Sequence, residues 1–369
     1  MELLARAREL ESQGRSIVHM EIGEPDFPTP EPITAAAVRA LGEHAMHYTS
    51  ALGLPALRLA IAGHYRERYG VAVSPERIVV TAGSSAALLL AAGVLIDPGR
   101  EVLLADPGYP CNRHFVRFVE GRAVGIPVDA GCGYQLTAQA VARHWTPATA
   151  AVLLASPSNP TGTLVERAAL ADIAGCVRER GGTLIVDEIY HGLVYQGDAA
   201  TALEISDEAF VVNSFSKYFG MTGWRLGWLV VPPDYLRAVE KLQQNLFIAA
   251  STPAQYAALA AFAPETRAIL EQRRAEFQRR RDYLLPALRA LGFGIPVTPQ
   301  GAFYLYADCS RFTEDSQTFA RDLLEQAGVA VTPGLDFGHY QPQRHLRFAY
   351  TTGLEQLREG VRRLREHLG

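Results

Sequence analysis

The chain has 369 residues, a length that suits two domains. Apolar residues make up 48% and charged residues 20%, an ordinary balance for a globular protein. A net charge of −4 gives no basic field for nucleic acid or for an anionic membrane. Cys111, Cys132, Cys176 and Cys309 are scattered and form no C-x-x-C pair. Neither a disulfide framework nor a zinc site is expected, and a reducing, cytoplasmic compartment fits.

Residues 1–14 read as a short amphipathic helix without the apolar core of a signal peptide, and the longest apolar runs, such as residues 86–96, are too short to span a bilayer. A strand over residues 17–22 enters the proline-rich turn at residues 23–30, which cannot be helical. Helices are expected over residues 31–41 and from Pro55, where proline suits a first turn. From residue 78 strands and helices alternate: strands at 78–80, 101–105, 122–128, 150–155, 183–188, 210–213 and 226–231, with helices at 86–94 and 166–180. Strands this apolar belong to a mostly parallel sheet covered on both faces, an α/β fold. Beyond Pro233 the chain turns helical. Arg273, Arg274, Arg279, Arg280 and Arg281 alternate with acids there, the pattern of a solvated face. Strands at 302–306, 329–331 and 346–350, with helices at 316–326 and 354–367, make a smaller α+β unit. We expect residues 1–41 to join residues 265–369 in that unit and residues 42–264 to form the large one.

Several polar residues fall at or just past strand ends, where such sheets place their sites. Lys217 and Arg225 are the only charges between Ala209 and Val231. Desolvation lowers a lysine's pKa and frees the amine for Schiff-base chemistry, although a snorkelling lysine and a surface arginine explain the pair equally. Gly83, Ser84 and Ser85 open a helix after a strand and suit a phosphate, but a tight turn needs small residues anyway. Asp187 ends an apolar strand either as a helix cap or as the partner of a buried cation such as a ring nitrogen. Tyr190 lies three residues on, Tyr109 either stacks on a ring or is exposed, and Arg347 either clamps a carboxylate or forms a salt bridge. Taken together these groups describe pyridoxal phosphate holding an amino acid.

Three motifs are specific: Ser156-Pro157-Ser158-Asn159-Pro160-Thr161-Gly162, Asp187-Glu188-Ile189-Tyr190, and Ser214-Phe215-Ser216-Lys217 followed by Gly223-Trp224-Arg225-Leu226-Gly227. With them the chain resembles, almost end to end, the class I aminotransferases of pyridoxal-phosphate fold type I. The resemblance implies that Lys217 carries the cofactor as an aldimine and shuttles the substrate proton. It further implies that Asp187 pairs with the ring nitrogen, that Tyr190 and Asn159 bond the ring oxygen, and that Tyr109 stacks on the ring. Gly83, Ser84, Ser85, Ser214 and Arg225 would hold the phosphate, and Arg347, Asn159 and the Gly23 backbone the substrate carboxylate. Tyr48 would reach the partner's phosphate in a two-fold homodimer. The implied reaction moves an amino group from an L-amino acid to a 2-oxo acid by a ping-pong route.

Two features depart from that family. The chain begins almost at the first helix, without the longer arm that relatives often carry, and no residue matches a second, distal-carboxylate arginine. Arg113 and Arg117 lie in the right region but read as surface residues. A β-lyase acting on a sulfur amino acid is the rival chemistry. A noncatalytic ligand-sensing module is the rival class, and the few residues before Gly23 leave no room for its DNA-binding domain. His44 and His47 lack a third metal ligand of suitable spacing.

Overall fold

The computed structural model describes residues 2–369; Met1, the first residue of the expected amino-terminal helix, lies outside them. Helix α1 (Glu2–Ser12) leads to strand β1 (Val18–His19), and the proline-rich turn gives way to α2 (Glu31–Glu43) and α3 (Pro55–Tyr69). Both latter helices carry proline in the first turn, where its missing N–H removes no bond. Gly70, at φ +70°, ends α3 in the left-handed region.

Strand and helix then alternate through β2 (Ile78–Thr81), α4 (Gly83–Leu95), β3 (Glu101–Asp106), α5 (Pro110–Phe118), β4 (Arg122–Pro127), α6 (Ala138–His144) and β5 (Thr149–Ala155). They continue through α7 (Arg167–Glu179), β6 (Thr183–Asp187), β7 (Phe210–Ser214) and β8 (Gly227–Val230). These strands form one sheet in the order β2-β8-β7-β6-β5-β3-β4. Every neighbouring pair is parallel except the two that include β8. Side chains alternate across the pleat, so Val79, Leu153, Ile185 and Val212 enter one core with α4. Val80, Val152, Leu184 and Val211 enter the other. Both faces are buried, which explains why the strands read as continuous apolar runs.

Helices α8 (Leu236–Leu246), α9 (Thr252–Leu259) and α10 (Pro264–Leu291) follow, then β9 (Tyr304–Asp308), α11 (Ser316–Asp322), β10 (Val329–Ala330), β11 (Thr332–Pro333), β12 (His345–Ala349) and α12 (Leu354–Leu368). A three-stranded antiparallel sheet, β11-β12-β9, sits apart from the large one, and β1 pairs in parallel with β10. The fold is therefore α/β with a smaller α+β unit.

Several details differ from expectation: α6 was not expected, and the strand over residues 17–22 is only Val18–His19. Helix α4 starts at Gly83 rather than three residues later. Helix α5 was not expected, because Cys111, Asn112, His114 and Phe115 are weak helix formers; Pro110 at its start and Val116 in the core hold it. Arg280 and Arg281 do not face solvent and are 3% and 2% exposed. Arg280 donates to Asp26 and to the Thr351 carbonyl, each at 2.9 Å, and Arg281 donates to the Pro299 carbonyl at 2.8 Å. The 28-residue helix α10 runs beneath the proline-rich turn, so one side of its charged surface is covered.

Candidate active site

Strand β8 runs opposite to its neighbours, so its start lies on the same edge as the ends of β2 and β7. Gly227 sits in register with both Thr81 and Ser214. A side chain at Gly227 would come within 2.9 Å of the Ser84 nitrogen. This close approach brings the opening of α4, the end of β7 and Arg225 together. The first turn of α4 has no side-chain cap, which leaves its N–H groups free for an anion. Gly83 has φ +78°, and a Cβ there would stand 2.7 Å from Arg225 Nη2. Arg225 itself is exposed, donates to the Thr222 carbonyl at 2.9 Å and has no acidic partner among the described residues. Ser214 Oγ lies 2.9 Å from Ser216 Oγ and accepts from the Ser216 N–H at 3.0 Å. Glycine, Ser84, Ser85, Ser214 and Arg225 thus form a cradle of donors that fits a phosphate-sized dianion.

Asp187 and Lys217 lie on adjacent strands, at the end of β6 and just past β7. Asp187 is buried and accepts one backbone hydrogen bond, from Ile189 at 3.2 Å. Burial pushes its carboxyl up to about 7, against that bond and the attraction of Lys217. A buried acid with so little support fits a cation placed against it. The Lys217 ammonium donates to the Gly23 carbonyl at 2.7 Å. Burial pushes its pKa down to about 8, which brings the neutral amine within reach near neutral pH.

Arg347, on β12, is 7% exposed. It donates to Asn159 Oδ1 at 3.0 Å, to the Glu21 carbonyl at 2.6 Å and to Thr332 Oγ1 at 3.2 Å. Its Nε is buried without a partner, and no carboxylate of the described chain pairs with the guanidinium. Of the two readings of this arginine, the salt bridge is not formed. The guanidinium packs over Tyr304 and Phe337, 4.4 and 4.9 Å from their ring centres. A cavity of about 1050 Å³ opens here, lined by Gly23, Tyr109, Asn159 and Arg347, with Leu3 and Leu4 of α1 on its wall.

Tyr190 is buried, and its hydroxyl lies 2.9 Å from that of Tyr304. Tyr109 is half-buried just before α5; burial raises its pKa, with smaller contributions from Cys111, Asp187 and Tyr304. Tyr48 stands apart: it is 80% exposed in the loop before α3 and meets none of these groups within one chain. His44 stacks on Tyr256 with ring centres 4.2 Å apart.

Sequence reasoning missed Tyr304 and Glu188. Tyr304 touches Tyr190 and Arg347, and a Cβ on Gly23 would collide with its hydroxyl. Glu188 is fully buried behind Asp187, where Thr201 Oγ1 and the Ala202 N–H donate to it. Burial pushes it up to about 8. The acid pair Asp187-Glu188 was the available signal for the second, whereas Tyr304 sat among aromatics that read as core.

A family model described as aminotransferase class I and II matches residues 15–364. The chain is 41% identical over 366 residues to a valine–pyruvate aminotransferase of Mycobacterium tuberculosis, covering 99% of this chain and 94% of that protein. It is 37% identical over 368 residues to an aspartate/prephenate aminotransferase of Thermus thermophilus, covering 99% and 94%. The structure of the Thermus thermophilus aspartate aminotransferase with maleate superposes with a TM-score of 0.94 at 36% identity, covering 99% of this chain and 95% of that one. Among the described residues no helix is long and apolar enough to cross a membrane.

Proposed function

The chain belongs to the class I and II aminotransferases, and from that premise we propose a pyridoxal 5'-phosphate enzyme that moves the amino group of an L-amino acid to a 2-oxo acid in two half-reactions. The observation that carries this reading is the pair at the ends of β6 and β7: an uncompensated buried acid, Asp187, beside a lysine, Lys217, whose amine is easily freed. When bound, the cofactor supplies an aldehyde that condenses with primary amines and a ring that draws electrons from the substrate Cα.

The chain's own residues then have defined tasks. Gly83, Ser84, Ser85, Ser214 and Arg225 would hold the phosphate, and Tyr109 would cover one face of the ring. Asp187 would keep the ring nitrogen protonated, which in turn holds the aspartate ionised despite its burial. Tyr190 and Asn159 would donate to the ring oxygen. Arg347, already fixed by Asn159 and Glu21, would fork onto the substrate carboxylate, with the Gly23 backbone beside it. Lys217, near the pKa that proton transfer favours, would take a proton from the substrate Cα and return it.

We place the large cofactor-holding unit at residues 42–264 and the small one at residues 1–41 with 265–369. The exposure of Tyr48 supports a homodimer in which it enters the partner's site. Four unpaired cysteines fit a cytoplasmic setting. A donor and acceptor panel tests the reaction, starting from the valine–pyruvate and aspartate pairs that the relatives' names suggest. Formation of a new amino acid only when a 2-oxo acid is present is expected. Release of pyruvate and ammonia without any second oxo acid would replace this reading by a lyase.

A further inference from the structure

A second cavity, of about 310 Å³, lies on the far side of Tyr109 and Phe337, which also line the cavity at Arg347. Its apolar wall comes from the ends of β3 and β5, including Leu104 and Leu154. Asn112 and Asp106 line it, with Gln135 and Ser158 beside them. Asn112 on α5 is 5% exposed, and its Oδ1 has no hydrogen-bond partner. Asp106 is 9% exposed; it accepts only the backbone N–H groups of His339 and Tyr340, at 2.9 to 3.2 Å, and no cation pairs with it among the described residues. The unpartnered amide oxygen calls for a donor, and the carboxylate, held by backbone N–H groups alone, has no cation to balance its charge; an ammonium meets both needs.

The same cavity is lined by Arg113 and Arg117, one turn apart on α5. Arg113 donates to the Asp336 carbonyl at 2.7 Å, and neither guanidinium meets an acid among the described residues. These two arginines therefore do not accompany Arg347 in the larger cavity. They supply the cations of a separate site that also holds an anionic and a neutral acceptor. The ligand complementary to such a lining carries an ammonium and a carboxylate together, and the volume suits a small molecule. We propose that this cavity is a second binding site, for a small zwitterionic α-amino acid.

The test is equilibrium dialysis of the cofactor-loaded full chain against radiolabelled 2-methylalanine, a zwitterion without a Cα hydrogen to transfer. Binding that persists near one per chain in Arg347→Ala is expected, and its disappearance there would assign all binding to the larger cavity and overturn the proposal. The double variant Arg113→Ala/Arg117→Ala, read on the wild-type background, should lose one bound molecule per chain or weaken it at least ~10-fold. Unchanged stoichiometry and affinity in that variant would equally overturn it, whether or not Arg347→Ala folds. Isobutyrate and isopropylamine, the two halves of the probe's charge, should each bind at least ~10-fold more weakly. Isobutyrate binding as tightly as 2-methylalanine would show a plain anion site instead.

Discussion

The side-chain nitrogen of Lys217 and the carbonyl oxygen of Gly23, 194 positions apart in sequence, are hydrogen-bonded at 2.7 Å. A neutral carbonyl accepts from the ammonium without repaying its desolvation, so burial still pushes the lysine down to about 8. Cofactor-free protein should therefore take up pyridoxal phosphate at a rate that rises with pH with a midpoint near 8 and levels off above it. Stopped-flow absorbance at a series of pH values measures this, and a midpoint near 10 would contradict the burial argument. Lys217→Ala should abolish borohydride labelling of the chain and cut transamination by at least ~10³-fold; label at another lysine would reassign the role.

Asp187 makes the opposite demand on stability. Its pKa rises on folding, from 3.8 to about 7, so between those values the folded state binds more protons than the unfolded one. Stability from this group therefore falls as pH rises through that window and stays low above it. Cofactor-free Asp187→Asn should be more stable than wild type at pH 8, by roughly 2–4 kcal/mol, and should lose that advantage near pH 4. Denaturant titrations at both pH values check the sign. The same variant should bind pyridoxal phosphate more weakly, because the ring nitrogen loses its anion.

Arg347 is already aimed by three protein oxygens, so its loss should act on substrate rather than on cofactor. Arg347→Ala is expected to raise KM for amino donors about 100-fold or more while cofactor affinity changes little. Arg347→Lys should recover only part of the loss, since an ammonium lacks the planar fork. Equal loss of cofactor and substrate would remove the clamp assignment.

Gly83→Ala should weaken cofactor binding by about 10-fold. The added methyl would press on Arg225 Nη2 at 2.7 Å, at a backbone angle of φ +78° that disfavours a side chain. Fluorescence titration with pyridoxal phosphate reads the loss, and a melting curve shows whether the fold itself is disturbed.

Tyr48 offers a test of assembly. Mixed dimers formed from Lys217→Ala chains and Tyr48→Phe chains contain one site with an intact lysine and an intact tyrosine, provided that the tyrosine comes from the partner. Cofactor affinity at that site should match wild type. If every lysine-bearing site of the mixture shows the Tyr48→Phe affinity, the tyrosine acts within its own chain or not at all.

The strand ends were legible because a sheet buried on both faces leaves no reason for a polar residue except at an end. Asp187, Asn159 and Lys217 stood out against Val-, Leu- and Ile-rich runs for that reason. Tyr304 was not legible, because its contact with Tyr190 arises only when the small sheet folds back over the large one, and nothing in Phe303-Tyr304 distinguishes the facing ring from core. Helix α5 was hidden by residues with weak intrinsic preference, since its stability lies in packing. Arg280 and Arg281 misled for the converse reason: an i, i+3 and i, i+4 charge pattern looks the same whether or not a turn covers it.

The pairing of β1 with β10 sets a timetable for biosynthesis. Val18 leaves the ribosome early and must wait for Val329, and the Glu21 carbonyl waits longer still for Arg347. All seven strands of the large sheet, the last ending at Val230, are synthesised before either partner exists. A nascent chain thus holds Lys217 and Arg225 long before it holds Arg347. The grip on an amino acid proposed for Arg347 would therefore arrive only with the final stretch of translation.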